Sequence, residues 1–329
     1  MSGTVQLSDS EVKRETRLRK RPALTGTTII GACTGLLFVV AAVSVDHFAT
    51  TSNIRALLLS VSLTGIIAVG LSLITLVGRL FSLSVASTVA LATIVFAHTL
   101  QFGAWPALIL TTLFACGTGL IQGWIVGVLR SDPIITTIAF SAVLLGIGQE
   151  WTGGRTIVGH GSTSVFNKNL LGIPFQILAF VVVIVVVHLW QRYSAAGRKL
   201  SLIGLNENAT RIVGVRAWPY IVIAFAVSGA VTGLAAGLLA AQSGEGNVLL
   251  GGTYGFDAII AVVVGGVRVS GGIGSPFGAA VGALFVGLLG NMLALVGLNY
   301  QSQLVVKGAI VLAAVALTGL VTRIRGDQS

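Results

Sequence analysis

Long apolar runs, each close to the length that crosses a bilayer and each closed by a short polar break, fill almost the whole chain. A hydrocarbon core of ~30 Å needs about 20 apolar residues as a helix. The runs Leu24–Val45, Arg55–Val77, Leu80–Leu100, Trp105–Leu129, Ile134–Gln149, Phe175–Trp190, Pro219–Ala241, Gly274–Val296 and Gln303–Thr322 meet or approach that length. Phe256–Val267 reaches only about two-thirds of it, which predicts a tilted or partly re-entrant helix. The pattern predicts an all-α integral membrane protein of about ten transmembrane helices, because only internally hydrogen-bonded backbone is stable in lipid. Leu24–Val45 is long enough to be an uncleaved first span rather than a signal peptide.

The polar breaks carry the organisation. Glu150–Pro174, rich in Gly, Ser, Thr and Asn, reads as the largest external loop, and Gln242–Tyr254 as a Gly-rich external segment. Arg130, Ser131 and Asp132 precede Pro133, an order that suits a helix start at the interface. Arg192–Trp218 is the long, polar, basic segment inside the chain: Arg192, Arg198, Lys199, Arg211 and Arg216 stand there against a single acid, Glu207. Within it Asn206 is a good N-cap, Glu207 suits the positive first turn and Gly214 is a natural stop, which predicts a helix of about two turns over Glu207–Val213. Ala209, Ile212 and Val213 then share one face. A helix so short is unstable alone in water, so that face docks on something. The choices are the protein's own membrane domain, lipid headgroups, or a groove on a cytosolic partner.

Composition narrows the class further. With 54% hydrophobic residues, 9% charged residues and a mean hydropathy of +0.96, an ordinary soluble core does not account for the chain. The formal net charge of +10 does not point to nucleic acid, because the bases lie in the N-terminal tail and beside apolar runs and form no stripe interleaved with aromatics. All of the 20 Lys and Arg residues except Arg55, Arg155, Lys168 and Lys307 fall on the side that holds the N-terminal tail. The positive-inside rule then puts both termini and Arg192–Trp218 in the cytosol. The division that follows is a basic cytosolic tail over 1–23, a membrane domain over 24–323 containing the cytoplasmic loop 192–218, and a cytosolic C-terminal tail over 324–329.

Many of the 43 glycines fall at helical spacing inside the spans. Gly119, Gly123 and Gly127 share a face, as do Gly229, Gly233 and Gly237, and Gly274, Gly278 and Gly282. Ribbons of small residues let backbones approach closely, either within one subunit or at a sliding or dimer seam.

Candidate chemistry is sparse. No Gly-Lys pair occurs, so the phosphate loop of an ATP-binding protein is missing and this chain is not expected to bind ATP. His47, His98, His160 and His188 are scattered through separate segments, and Cys33 and Cys116 lie in apolar runs, so neither a metal site, a cofactor site nor a disulfide framework is indicated. The pattern is not that of an enzyme. Asp46, Glu150, Glu245 and Asp257 fall near external span ends, leaving the span centres almost free of the acids an ion-coupled carrier needs. Asp257 and Lys307, each at the start of a late span, are the charges placed to pair or to face a cavity. A path for an uncharged polar solute would draw on Ser82, Ser84, Ser87, Gln149, Trp151, Tyr254 and Asn291, with Asp257 beside them, although serine in a membrane helix often bonds its own backbone instead.

The basic loop also carries a resemblance. GRKLSLIGLNENATRIVGV resembles the cytoplasmic coupling segment of the ribose/xylose-type ABC transporter permeases, whose pattern Gly197, Arg198, Gly204, Asn206, Ala209, Arg211 and Gly214 fit. Thr152–Ile157 (TGGRTI), Tyr254–Gly266 (YGFDAIIAVVVGG), Ser270–Gly278 (SGGIGSPFG) and Val305–Gly308 (VVKG) resemble further segments of that family. Where the family usually has Gly-Gly-Ile-Asp-Leu-Ser-Val-Gly, this chain has Arg79 to Ala86, with Ser82 in place of the Asp. The resemblance implies a permease subunit of an ATP-driven importer for a sugar or sugar-like solute in a bacterial cytoplasmic (inner) membrane. Such a subunit pairs with a second permease, an identical copy or a paralogue. It couples to cytosolic ATPase subunits and receives solute from an extracytoplasmic binding protein. The coupling role then falls on Gly197, Arg198, Gly204, Asn206, Glu207, Ala209, Arg211, Ile212, Val213 and Gly214. The residues alone leave two other readings open: an ion-coupled secondary carrier, and a membrane sensor or assembly subunit that transports nothing itself.

Overall fold

In the computed structural model, residues 22–167, 169–170 and 172–326 are described. The expected N-terminal tail up to residue 21, Lys168 and the last three positions of the C-terminal tail lie outside the described residues. Each expected apolar run falls on a helix. In chain order these are α1 (Pro22–Ser44), α2 (Thr51–Leu76), α3 (Val85–Thr99, prolonged by a 3-10 turn over Leu100–Phe102), α4 (Ala104–Val128) and α5 (Pro133–Thr152). After the short α6 (Ser164–Asn167) come α7 (Phe175–Tyr193), α8 (Ala195–Leu205), α9 (Glu207–Ile212) and α10 (Trp218–Ser243). The chain closes with α11 (Gly252–Val264), α12 (Pro276–Leu295) and α13 (Tyr300–Gly326). Among the described residues seven helices are long and apolar enough to cross a membrane. The 13 residues of α11 rise only ~20 Å, short of a full crossing, as its sequence implied.

The caps explain several of the boundaries. Asp132 accepts from the Ile134 and Ile135 N–H groups at 2.8 and 3.1 Å with Pro133 at the first position of α5, and Ser275 accepts from Gly278 N at 3.0 Å ahead of Pro276 in α12. Gly153 and Gly244, both left-handed, stop α5 and α10.

Helix α2 is the inner post of the bundle, buried from Val61 to Leu76 and packed by α12, α10, α11 and α7. Helices α4 and α10 pack along much of their length through the two glycine ribbons. A Cβ on Gly119, Gly123 or Gly127 would strike the backbone or Cβ of Phe225, Val222 or Trp218, and one on Gly229 or Gly233 would strike Ala115 or Thr111 on α4. These ribbons therefore serve packing within one subunit. Gly229→Ala is expected to cost ~1–3 kcal/mol by overpacking, lowering the thermal midpoint in detergent. Gly308→Ala, with open space around it, serves as the neutral control.

The outer faces of α4, α5 and α7 expose Ile109, Leu113, Ile135, Ile138, Val182 and Val186, which suits contact with lipid. At the end where α4 and α7 begin, Phe166 on α6 is fully buried between Trp105 and Phe175, with ring centroids 5.0 and 5.3 Å away. The polar loop expected over Glu150–Pro174 contains strands. β1 (Ile157–Val158) pairs antiparallel with β4 (Glu245–Gly246), and β2 (Asn169–Leu170) with β3 (Ile173–Pro174).

Three expectations need correction. The third span does not begin at Leu80: Gly78 (φ 81°) and Leu80 (φ 52°) both adopt left-handed backbone, which no helix tolerates, so α3 starts at Val85. Gly274 does not share a helical face with Gly278 and Gly282, because it precedes α12 with φ 135°, whereas those two pack against Gly265 and Ala261. The Arg192–Trp218 segment holds two helices rather than one, since α8 precedes α9.

Candidate functional site

The basic segment folds into a compact hook. Ser194 ends α7 and starts α8, accepting from Gly197 N at 2.9 Å. Gly197 leaves no room for a side chain against the backbone of Trp190 and Gln191, so the chain reverses tightly there. Arg198 donates to Tyr193 O at 2.7 Å, and Lys199 Nζ lies 5.4 Å above the Tyr220 ring, tying α8 to the start of α10. The inner face of α8 buries Leu200 and Ile203.

Asn206 then serves two helices. Its N–H closes α8 on Leu202 O at 3.2 Å, and its Oδ1 accepts from Ala209 N at 3.0 Å to cap α9. Gly214 (φ 79°) and Val215 return hydrogen bonds to Arg211 O and Thr210 O at 3.1 and 3.0 Å, which is a Schellman stop. The expected short helix is therefore present over Glu207–Ile212, with Val213 as its C-cap. Its apolar face is not buried on the protein: Ile212 is 86% and Val213 74% exposed, and Ala209 and Arg211 are exposed as well.

The hook is braced from behind. Gly204 packs against Leu76 O and Gly272, Gly271 against Gly78, and Gly272 N donates to Leu76 O at 2.9 Å. The LSLIGLNE segment and the SGGIGS segment, distant in sequence, thus meet backbone to backbone at the end of α2. Arg79 Nη2 adds an ion pair to Glu207 Oε2 at 2.8 Å. Both side chains are partly exposed, so Arg79→Ala is expected to weaken thermal stability by no more than ~1 kcal/mol, read as the thermal midpoint in detergent.

The other candidate residues fall in three places. Ser82 and Ser84 are buried, 2.9 Å apart, and both reach Gln122 Oε1, at 3.4 and 2.7 Å. The cavity beside them is only about 20 Å³, space for one water. Gln122 was missed by sequence reasoning, although an amide in the middle of an apolar run was the available signal. Gln149 and Trp151 sit exposed at the end of α5, where the Trp151 ring lies 4.8 Å from His98. Asp257 and Asn291 come together at the wall of a third space of about 310 Å³, with Tyr254 half-buried one turn before Asp257. Lys307 Nζ reaches Asp257 Oδ1 and Oδ2 at 2.8 and 3.0 Å, so these two charges pair with each other.

The comparisons with known proteins come from most of the chain. Residues 53–315 match the model of the family described as branched-chain amino acid transport system / permease component. The chain is 33% identical over 296 residues to the ribose import permease protein of Bacillus subtilis, covering 88% of this chain and 92% of that protein. It is 32% identical over 285 residues to the L-arabinose transport system permease protein of Escherichia coli, covering 85% and 86%. To the D-allose transport system permease protein of Escherichia coli it is 28% identical over 293 residues, covering 88% and 90%. No solved structure matches the chain at a significant level. A multi-pass membrane protein of the all-α class with little sheet, the chain belongs to the branched-chain amino acid transport system / permease component family.

Proposed function

We propose that this chain is a permease subunit of an ATP-driven importer of a sugar or sugar-like solute, and that α9 is the element through which cytosolic ATPase subunits drive it. The sugar reading rests on the ribose, arabinose and allose permeases it is similar to. The coupling reading is carried by one observation: an apolar face, Ile212 and Val213, stands exposed on a short helix capped at both ends, directly after a helix, α8, that backbone contacts brace at Gly204. Rigid, capped and apolar is what a helix needs to fill a partner's groove and transmit its movement.

On this reading the basic α8–α9 end and both termini face the cytosol, and residues 24–323 form the membrane domain. A second permease, identical or paralogous, completes the path, and an extracytoplasmic binding protein delivers solute at the opposite end. The subunit hydrolyses no ATP itself, since that belongs to the partner. Deleting this chain is expected to abolish uptake of labelled D-ribose, L-arabinose or D-allose in cells that otherwise take it up through this system. Uptake unaffected by the deletion would favour a sensor or assembly subunit instead.

A further inference from the structure

The space of about 310 Å³ beside Asp257 is lined by α2, α11, α12 and α13, away from the coupling hook. Asn53, at the start of α2, bonds Asn291 in its wall, whereas the hook meets Leu76 at the other end of the same helix. Its size is at the lower end of the ~300–1,000 Å³ typical of small-molecule sites.

Its chemistry is balanced. Lys307 is 4% exposed and its ammonium lies against Asp257, so the wall holds one positive and one negative charge in contact. Such a pair is costly to desolvate inside a membrane protein and marks a functional position there. Paired, it offers no net charge to attract an ionic solute, but its hydrogen-bonding capacity is not used up. The ammonium has three hydrogens for two carboxylate oxygens at 2.8 and 3.0 Å, and the carboxylate keeps free lone pairs. Asn291 donates to Asn53 Oδ1 at 2.8 Å and retains a second amide hydrogen. Gln303 donates to Leu298 O at 3.0 Å, which leaves its carbonyl oxygen as an acceptor on the side of Gly290. Gly290 stands beside the pair: a Cβ there would lie in ordinary van der Waals contact, 3.4 Å from Lys307 Nζ. Ser60 and Thr64, one turn apart on α2, add hydroxyls. Donors and acceptors thus share the wall of a space with no net charge, together with the apolar Leu57 and Val286. A sugar hydroxyl both donates and accepts, and its ring C–H face is apolar.

We infer that this cavity is a station for a neutral, hydroxyl-rich solute of monosaccharide size on its way through the membrane, an inference that rests on the sugar-import reading above. Sequence placed Asp257 and Asn291 among path candidates and Lys307 as a charge that pairs or faces a cavity; the new members are Gln303, Ser60 and Thr64.

The test uses the complete importer, with its ATPase and binding protein, in liposomes, and D-ribose, L-arabinose and D-allose as probes. Ser60→Phe fills the cavity, and Gln303→Leu keeps the volume but removes the acceptor together with the hydrogen bond to Leu298 O. Each is expected to lower the sugar moved per ATP hydrolysed by roughly tenfold, as for the loss of a buried polar contact. If Ser60→Phe does not assemble, Gln303→Leu decides alone. An unchanged ratio in Gln303→Leu, with the wild type transporting sugar, overturns the station and leaves the proposed function standing. A wild-type importer that moves none of the three sugars overturns both.

Discussion

Replacing Ile212 and Val213 together by Asp is expected to abolish uptake and to release the ATPase subunits, while the chain still inserts in the membrane at its normal level. The selectivity of that outcome follows from burial. Both side chains are largely exposed on the isolated subunit, so the change removes no contact from its own core. Exposed substitutions of this kind alter folding stability by only about ±0.5 kcal/mol. In the assembled importer the same two positions would bring carboxylates into an apolar groove, and an unpaired buried charge costs several kcal/mol, roughly 3–5 when measured by breaking a pair. At ~1.4 kcal/mol per factor of ten, that is enough to disrupt association at cellular concentrations. Co-purification of the ATPase, uptake of labelled sugar and the membrane level of the chain together check it. Retained uptake would mean that the hook couples to nothing through this face.

Gly204→Val is expected to be nearly as damaging by a different route. Gly204 stands against Leu76 O and Gly272, where any Cβ overlaps the backbone. A branched side chain there forces α8 away from the end of α2 and breaks the 2.9 Å hydrogen bond from Gly272 N to Leu76 O. Overpacking costs ~1–3 kcal/mol. The orphaned polar groups add about 1–3 kcal/mol more. The segment leading into α9 then loses its brace, and on the proposed coupling role ATP hydrolysis by the assembled complex is expected to continue with little sugar moved. Uptake and hydrolysis measured on the same preparation read this out. Gly214→Ala is the instructive contrast, because open space surrounds that glycine and only its left-handed backbone, worth ~1–2 kcal/mol, resists the change.

These two residues also mark how far the sequence could be read. The long helices were legible because lipid leaves the backbone no other choice, and the short capped helix α9 because Asn206 and Gly214 are local signals acting on their own neighbours. Helix α8 was not, since Gly197 and Gly204 lower helix propensity and its bases suggest a solvated loop. Both glycines are there because backbone passes too close for a side chain, a reason that lies in distant parts of the chain. Ser194 as a cap, with Leu200 and Ile203 three residues apart, was the signal available. The late start of α3 depends on left-handed backbone at Leu80, which no propensity announces. The glycine ribbons on α4 and α10 were visible by spacing, but which ribbon meets which is a tertiary fact. The same holds for the candidate path. Asp257 and Lys307 each signalled a need for a partner, yet 50 residues separate them, and nothing local says that each is the other's partner.

The claim on which the rest depends is that α9 is the docking element. A photo-crosslinking amino acid placed at Ile212 in the complete importer, irradiated in native membranes, tests it most directly. The account predicts an adduct between this chain and the ATPase subunit. Adducts confined to lipid, or to this chain itself, would contradict it.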